Sequence, residues 1–209
     1  MDPALYQLHE RLEDTYWWFV AKNSILMHLA ARLAGAGARV ADIGCGTGGL
    51  LARLAARYDA TGVEMDDGAR EACARRGLSV LGGHLPGNIA LEDGVFDLVI
   101  ASEVVEHVED DHGAVARLAR LLAPGGALMI TVPAHQWMWS EHDVANHHFR
   151  RYSRAGVRAL VEGAGLRVEV LTYQMVLLFP LMVLARGAAK LRRGGNAASG
   201  AAIKPGHRL

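Results

Sequence analysis

One segment constrains the fold of this chain more than any other: Val40-Ala41-Asp42-Ile43-Gly44-Cys45-Gly46-Thr47-Gly48-Gly49, an apolar run that breaks into glycines and is followed at once by a helical stripe from Leu50 to Tyr58. Glycines here let the backbone turn sharply out of a buried strand, and without a Cβ they let a ligand reach the main chain. Strand, glycine loop and helix in that order begin a fold in which parallel strands alternate with helices. Ala60 to Glu64 predicts a second strand, and Asp66 or Asp67 can N-cap a helix carrying Ala69, Ala72 and Cys73. Leu78 to Leu81 predicts a third strand, and the apolar run Phe96 to Ala101 a fourth that is buried on both faces. Val115, Leu118, Leu121 and Leu122 stripe a helix that Pro124-Gly125-Gly126 is expected to stop, with a fifth strand over Ala127 to Val132. Ser153 is the expected cap of a helix running to Ala164 and ended by Gly165, and the alternation from Arg167 to Tyr173 predicts a strand nearer the sheet edge. The result is an open, mainly parallel sheet with helices on both faces, an α/β/α sandwich whose ligands sit beyond the carboxyl ends of the strands.

The flanks are different in character. Tyr16, Trp17, Trp18 and Phe19 precede Ile25, Leu26, Leu29 and Leu33 at helical spacing, which predicts a helical cap over 1–38 ahead of a core over 39–174. In the segment 175–209, Met175 to Ala185 is apolar but holds Pro180 and falls short of the ~20 residues of a spanning helix. With Arg186, Lys190, Arg192 and Arg193 behind it, this run suits burial in the core or a dimer contact, or an interfacial helix touching a membrane through 175–193. The Gly-rich tail after Arg193 is expected to be flexible. Monomer and homodimer are both compatible with the sequence. A length of 209 residues with 51% apolar and 21% charged residues suits one well-buried domain. A formal net charge of +0 offers no field to gather nucleic acid, so no nucleic-acid partner is expected. Cys45 and Cys73 lack CxxC spacing and no signal peptide is evident at the start, which predicts no disulfide, no metal site and a cytoplasmic setting.

Gly44, Gly46 and Gly49 satisfy a loose GxGxxG, with Glu64 at a suitable distance for a ribose contact, so the loop alone allows a nicotinamide cofactor and an oxidoreductase. Asp42 speaks against it: a carboxylate just inside a strand end needs partners, and it can hold loop amides or, through water, attract the amino group of an amino-acid ligand. The stretch Phe96 to Val108, with its Ser102-Glu103-Val104-Val105-Glu106-His107, and the later Leu121-Leu122-Ala123-Pro124-Gly125-Gly126 point the same way.

With these motifs in this order the chain resembles the class I S-adenosylmethionine-dependent methyltransferases, in the type 11/type 12 branch, over roughly Tyr16 to Tyr173. The resemblance implies a Rossmann-like fold with a seven-stranded sheet whose last strand is antiparallel. It implies S-adenosyl-L-methionine as cofactor and S-adenosyl-L-homocysteine as product. It also implies a binding rim in which Gly44, Gly46 and Gly48, with Cys45 among them, cradle the methionine part behind Asp42. Glu64 would accept from the ribose hydroxyls, Met65 would neighbour the adenine, and Ser102 and Glu103 would form the turn near the amino group and sulfonium. His107 is a further cofactor-side candidate, although a charged helix start is as often merely solvated. Many relatives read the adenine amino group with an acid after the third strand; here that stretch is Gly83-His84-Leu85, which leaves backbone groups or His84.

Methyl transfer from a sulfonium is an in-line displacement that needs alignment and exclusion of water more than elaborate catalytic groups. A hydroxyl acceptor gains from a base, commonly histidine. The insertion at about 133–152 holds His135, His142, His147 and His148, four of the chain's ten histidines. It is the expected acceptor side, with Trp137 and Trp139 for apolar contact, Arg150 or Arg151 for an anionic group, Tyr152 alongside, and His142, His147 or His148 as base. An alternative is that these side chains only hold the insertion in place. The expected acceptor is a small-molecule or lipid- or glycan-linked group methylated on oxygen or nitrogen; a non-catalytic S-adenosylmethionine-binding domain is the remaining alternative.

Overall fold

In the computed structural model of the chain, residue 6 and residues 10–184 are described. The described residues up to Leu171 form one compact unit and those from Thr172 a second. In the first unit, β1 (Arg39–Ile43), β2 (Asp59–Glu64), β3 (Val80–Gly82), β4 (Phe96–Ser102) and β5 (Leu122–Thr131) form one sheet in the order β3-β2-β1-β4-β5, with every pairing parallel. The order reverses between β1 and β4. In an open parallel sheet that reversal opens a crevice at the carboxyl ends of the strands, and the glycine loop leaves β1 there.

Strand alternation sorts the apolar residues into two cores. Val40, Leu98, Ile100 and Met129 face Leu26 and Ala30 of α1 (Trp17–Leu33) and Leu50 and Leu54 of α2 (Gly49–Ala55). Ala41, Ile43, Val99 and Ala101 face Val115, Leu118 and Leu121 of α4 (Asp111–Leu121) and Leu160 of α6 (Arg154–Gly163). The three layers therefore follow from which of two adjacent strand residues points up. Cap residues behave as expected: Asp66 accepts from the Ala69 amide at the start of α3 (Asp67–Arg75), and Ser153 accepts from the Gly156 amide at the start of α6.

Three expectations need correction. The third strand starts at Val80, because Leu78 is still engaged with the end of α3, its amide donating to the Cys73 carbonyl. The fifth strand starts at Leu122 and runs through Pro124-Gly125-Gly126: Phe96 pairs with Leu122 and Leu98 with Ala127, so the intervening residues form a bulge. Gly125 has φ +82°, and a Cβ at Gly126 would stand 2.7 Å from the Phe96 carbonyl oxygen, so these glycines shape the bulge within the strand. The sheet among the described residues has five strands, and Arg167 to Tyr173 is not one of them. An alternating sequence needs a neighbour's amides and carbonyls to become a strand; here the Leu171 carbonyl accepts from Arg154 Nη2 at 3.1 Å instead.

In the second unit, Val176–Leu178 is a single 3-10 turn followed by a short helical stretch, with Leu177, Leu181 and Leu184 exposed. The basic residues from Arg186 onward and the Gly-rich tail lie outside the described residues. No described helix is long and apolar enough to cross a membrane.

Candidate cofactor and acceptor site

The rim at the ends of β1 and β2 is built from backbone conformation and two buried carboxylates. Gly44, Gly46 and Gly48 all take positive φ (71°, 56° and 92°), a region costly for residues with a Cβ. A Cβ at Gly44 would stand 2.5 Å from Val104 Cγ2 and one at Gly48 2.6 Å from Leu78 Cδ1, whereas at Gly46 it would meet nothing within 4 Å. The first and third glycines are thus packed against the protein, and the middle one faces open space. Asp42 is buried, its Oδ2 has no hydrogen-bond partner, and burial lifts its pKa to about 7, with Lys22 opposing the rise and Glu64 adding to it. Glu64 ends β2, where Oε2 accepts from the Gly46 amide (3.0 Å) and Oε1 from the Asp66 amide (3.0 Å). A bare main-chain turn, an unmatched buried acid and a second acid bound to the loop fit a ligand that carries hydroxyls and an amino-acid arm.

The other rim candidates vary in how closely they join this group. The Cys45 thiol is half-buried, 4.0 Å from the Gly46 carbonyl, to which Cys73 also donates at 3.2 Å. Met65, beside Glu64, is 68% exposed, which leaves an apolar surface at the rim. Ser102 Oγ lies 2.9 Å from Thr131 Oγ1, and Glu103, with φ +59°, accepts from that hydroxyl at 3.0 Å. His84 is exposed at the end of edge strand β3, its ring nitrogen 3.3 Å from the Leu85 carbonyl and its backbone bridged to Asn88.

Two residues that sequence reasoning missed also belong here. Tyr6 Oη donates to Glu64 Oε1 at 3.2 Å, and burial followed by the Glu64 charge pushes its phenol pKa upward. Glu13 Oε2 accepts from the Gly49 amide (3.0 Å) at the start of α2 and is itself paired with Arg76. Both contacts join residues far apart in sequence, and no local motif announces them. A cleft of about 410 Å³ opens beside them, between Tyr6, Thr47 and Asp66.

The acceptor-side insertion folds as a closed loop, with the Tyr152 amide donating to the Pro133 carbonyl (2.8 Å) and the His135 amide to the Tyr152 carbonyl (2.9 Å). Its hub is Asp143 of the short helix α5 (Glu141–Ala145), a fully buried side chain that sequence analysis did not single out. Asp143 accepts from the Ser140 amide (2.8 Å) and Arg151 Nε (2.6 Å), and faces His148 Nδ1 at 3.1 Å. Burial opposes its ionisation, but Arg151, the Ser140 amide and His148 together hold its carboxyl down at about 2. The Phe149 amide donates to the Glu106 carbonyl (2.8 Å), which sets His148 against His107 with ring centroids 4.6 Å apart. Burial, then His148, lowers the His107 pKa to about 4, so its ring is neutral near pH 7. Glu106 is fully buried in the same turn and both its carboxylate oxygens lack hydrogen-bond partners; burial and then Glu103 push its pKa well up.

Of the three histidines considered as bases, His148 is positioned by the Asp143 carboxylate, whereas His142 and His147 are exposed. The two arginines expected to meet an anionic acceptor are committed within the protein: Arg150 to Asp111 (2.7 Å) and the Glu109 carbonyl (2.7 Å), Arg151 to Asp143 and the Ala134 carbonyl (3.1 Å). Tyr152 is buried and donates to Asp111 at 2.9 Å, which makes it a strut of the loop. Trp137 and Trp139 do present surface, at 62% and 36% exposure.

Residues 17–171 match the family described as Methyltransferase domain. The chain is 30% identical over 165 residues to a ubiquinone biosynthesis O-methyltransferase of Xanthomonas axonopodis pv. citri (strain 306), covering 69% of each chain. It is 35% identical over 112 residues to a trans-aconitate 2-methyltransferase of Deinococcus radiodurans, covering 53% of this chain and 41% of that one. For ubiquinone O-methyltransferases of Xanthomonas oryzae pv. oryzae the match spans 63% of their length, so the chain corresponds to part of those proteins. In fold it is similar to a Haemonchus contortus phosphoethanolamine N-methyltransferase 2 solved with S-adenosyl-L-methionine, with TM-score 0.63 and 20% identity over 86% of this chain and 45% of that one. A Haloferax volcanii chain, from the complex between the Trm112 methyltransferase activator and a methyltransferase, gives TM-score 0.65 at 24% identity over 80% of this chain and 75% of that one. With the glycine loop, the two rim acids and the parallel sheet already in place, the family match decides against the nicotinamide reading: the chain belongs to the class I S-adenosylmethionine-dependent methyltransferases.

Proposed function

We propose that the chain methylates a hydroxyl group on a small organic or lipid-linked acceptor. S-adenosyl-L-methionine would be held by the loop at Gly44, Gly46 and Gly48, with Asp42 attracting its amino group and Glu64 accepting from its ribose; bound there, it supplies an electrophilic methyl group. The observation that carries the acceptor reading is the Asp143–His148 pair, set beside His107 and Glu106 just past the end of β4. A hydroxyl is a poor nucleophile until it loses its proton. With Nδ1 facing Asp143, Nε2 is the ring nitrogen left to receive that proton as the O–C bond forms and the S–C bond breaks. S-adenosyl-L-homocysteine then leaves neutral. The exposed faces of Trp137 and Trp139 suit a flat apolar acceptor, and relatives named as O-methyltransferases agree with oxygen as the target.

Release of S-adenosyl-L-homocysteine measured with a catechol bearing an isoprenoid chain, a tricarboxylic acid and phosphoethanolamine tests this reading. Turnover is expected with the catechol, and His148→Gln is expected to lower it by roughly 10²–10⁴-fold at saturating cofactor. Turnover with phosphoethanolamine alone, or an unchanged rate in the variant, would remove the proposal. Cofactor binding without turnover on any acceptor would favour the non-catalytic alternative.

A further inference from the structure

We propose that Glu106, His107 and His148 form a binding site for one divalent transition-metal ion of the zinc type. One ligand atom from each of these side chains can be chosen so that all lie within 4.8 Å of one another. Two imidazoles and one carboxylate are a donor set that zinc and its first-row neighbours take, and three protein ligands leave a coordination position open.

The surroundings are those of a ligand set. Glu106 is fully buried with both carboxylate oxygens lacking a hydrogen-bond partner, an arrangement that costs stability unless something positive meets it. His148 is backed by a carboxylate: Asp143 lies 3.1 Å from Nδ1, fixing the ring and leaving Nε2 for an ion. Asp143 is itself held by Arg151 and Ser140, so the backing group does not depend on the ion. Glu106 and His107 share one 3-10 turn, Val105–His107, and the Phe149 amide bonded to the Glu106 carbonyl pins His148 against it. Glu103, the nearby acid, already accepts from Thr131.

The ion's place in the reaction rests on the hydroxyl-acceptor reading. With the ion bound, His148 Nε2 would be a ligand and no longer free to take a proton, so the ion would replace it in that role: an acceptor hydroxyl at the open position would be polarised by the ion and lose its proton to water. Binding of the ion does not rest on that reading, and its test uses neither acceptor nor turnover.

The full chain, freed of metal with a chelator, is titrated with Zn²⁺ against a chromophoric competitor and separately with Co²⁺ under visible absorption. One Zn²⁺ per chain is expected, with Co²⁺ giving ligand-field bands of a nitrogen- and oxygen-bound low-coordinate ion. His148→Gln and Glu106→Gln are expected to weaken Zn²⁺ by at least about 100-fold, Asp143→Asn by roughly 10–100-fold as the supporting group, and His28→Gln, on an exposed part of α1, not at all. S-adenosyl-L-homocysteine binding, measured on each variant, shows that it is folded; if Glu106→Gln fails this control, His148→Gln and Asp143→Asn carry the test. The proposal is overturned if His148→Gln binds Zn²⁺ as tightly as the parent chain, or if removing His28 weakens it equally. Metal binding with no hydroxyl methylation would overturn only the acceptor reading, and hydroxyl methylation by a chain that binds no metal only this one.

Discussion

Asp42 is under electrostatic stress at the cofactor rim: a buried carboxyl with an unmatched oxygen, Lys22 opposing its raised pKa and Glu64 reinforcing it. A carboxyl whose pKa rises on folding favours the folded chain in its protonated form. Its contribution is therefore complete below the unfolded pKa of ~3.9 and is lost as pH climbs toward the folded value, by roughly 1.4 kcal/mol per pH unit between the two. Measured relative to Asp42→Asn, which cancels the opposing contribution of His107, the melting temperature of the cofactor-free parent chain should accordingly fall from pH 5 to pH 7. Binding of S-adenosyl-L-homocysteine should strengthen across pH 6–8, because an ammonium favours ionised Asp42; equal pH profiles in the parent and the variant would refute both statements. Glu64→Ala should weaken the same ligand by about 1.5–3 kcal/mol in calorimetry, the scale of hydrogen bonds to a charged group. Asp42, the glycines and Glu64 could be picked out from sequence because each stands at a strand end within a short local pattern. Glu106 with His107 and His148 could not: their meeting depends on the Phe149 amide reaching the Glu106 carbonyl. Asp143 is an ordinary helix-start acid until Arg151 and His148 fold onto it.

At the scale of elements, the junction of β1, its loop and α2 is held from the neighbouring strand's end. Gly44 accepts no Cβ because Val104, just past β4, fills the space, and its φ of +71° is disfavoured for other residues independently of that contact. These costs are separable. Gly44→Ala should destabilise the chain by more than the roughly 1–2 kcal/mol of a left-handed alanine, and adding Val104→Ala should recover the steric part only. Denaturant unfolding of the single and double variants measures both; full recovery would show that conformation contributes nothing. The buried strands were evident from sequence because strands covered on both faces read as apolar runs. The boundaries of β5 were not, since Pro124-Gly125-Gly126 is as good a signal for a stop as for the bulge it forms between the Phe96–Leu122 and Leu98–Ala127 pairs. Alternation over Arg167 to Tyr173 misled for the opposite reason: it reports which side chains face water and says nothing of whether a partner strand is there.

For the whole molecule, the segment after the compact methyltransferase unit carries a prediction about membrane contact. Leu177 and Leu184 are 93% and 69% exposed, and the sequence continues through Arg186, Lys190, Arg192 and Arg193. Exposed leucines are unfavourable in water by an amount that a lipid interface removes, and each nearby Lys or Arg adds about 1 kcal/mol on an anionic surface. Attraction of this kind weakens with salt over a Debye length of ~8 Å at physiological ionic strength, whereas burial of leucine does not. The full chain is therefore expected to float with vesicles containing phosphatidylserine, less so at 0.5 M salt and not with neutral phosphatidylcholine. Leu177→Glu with Leu184→Glu should abolish flotation while leaving S-adenosyl-L-homocysteine affinity unchanged, because neither leucine is among the residues proposed to hold the cofactor. Flotation that survives both changes would place the contact elsewhere. A shift to dimer mass without any vesicle binding would mean that a second copy of the chain covers those leucines, and the acceptor would then have to reach the enzyme through water.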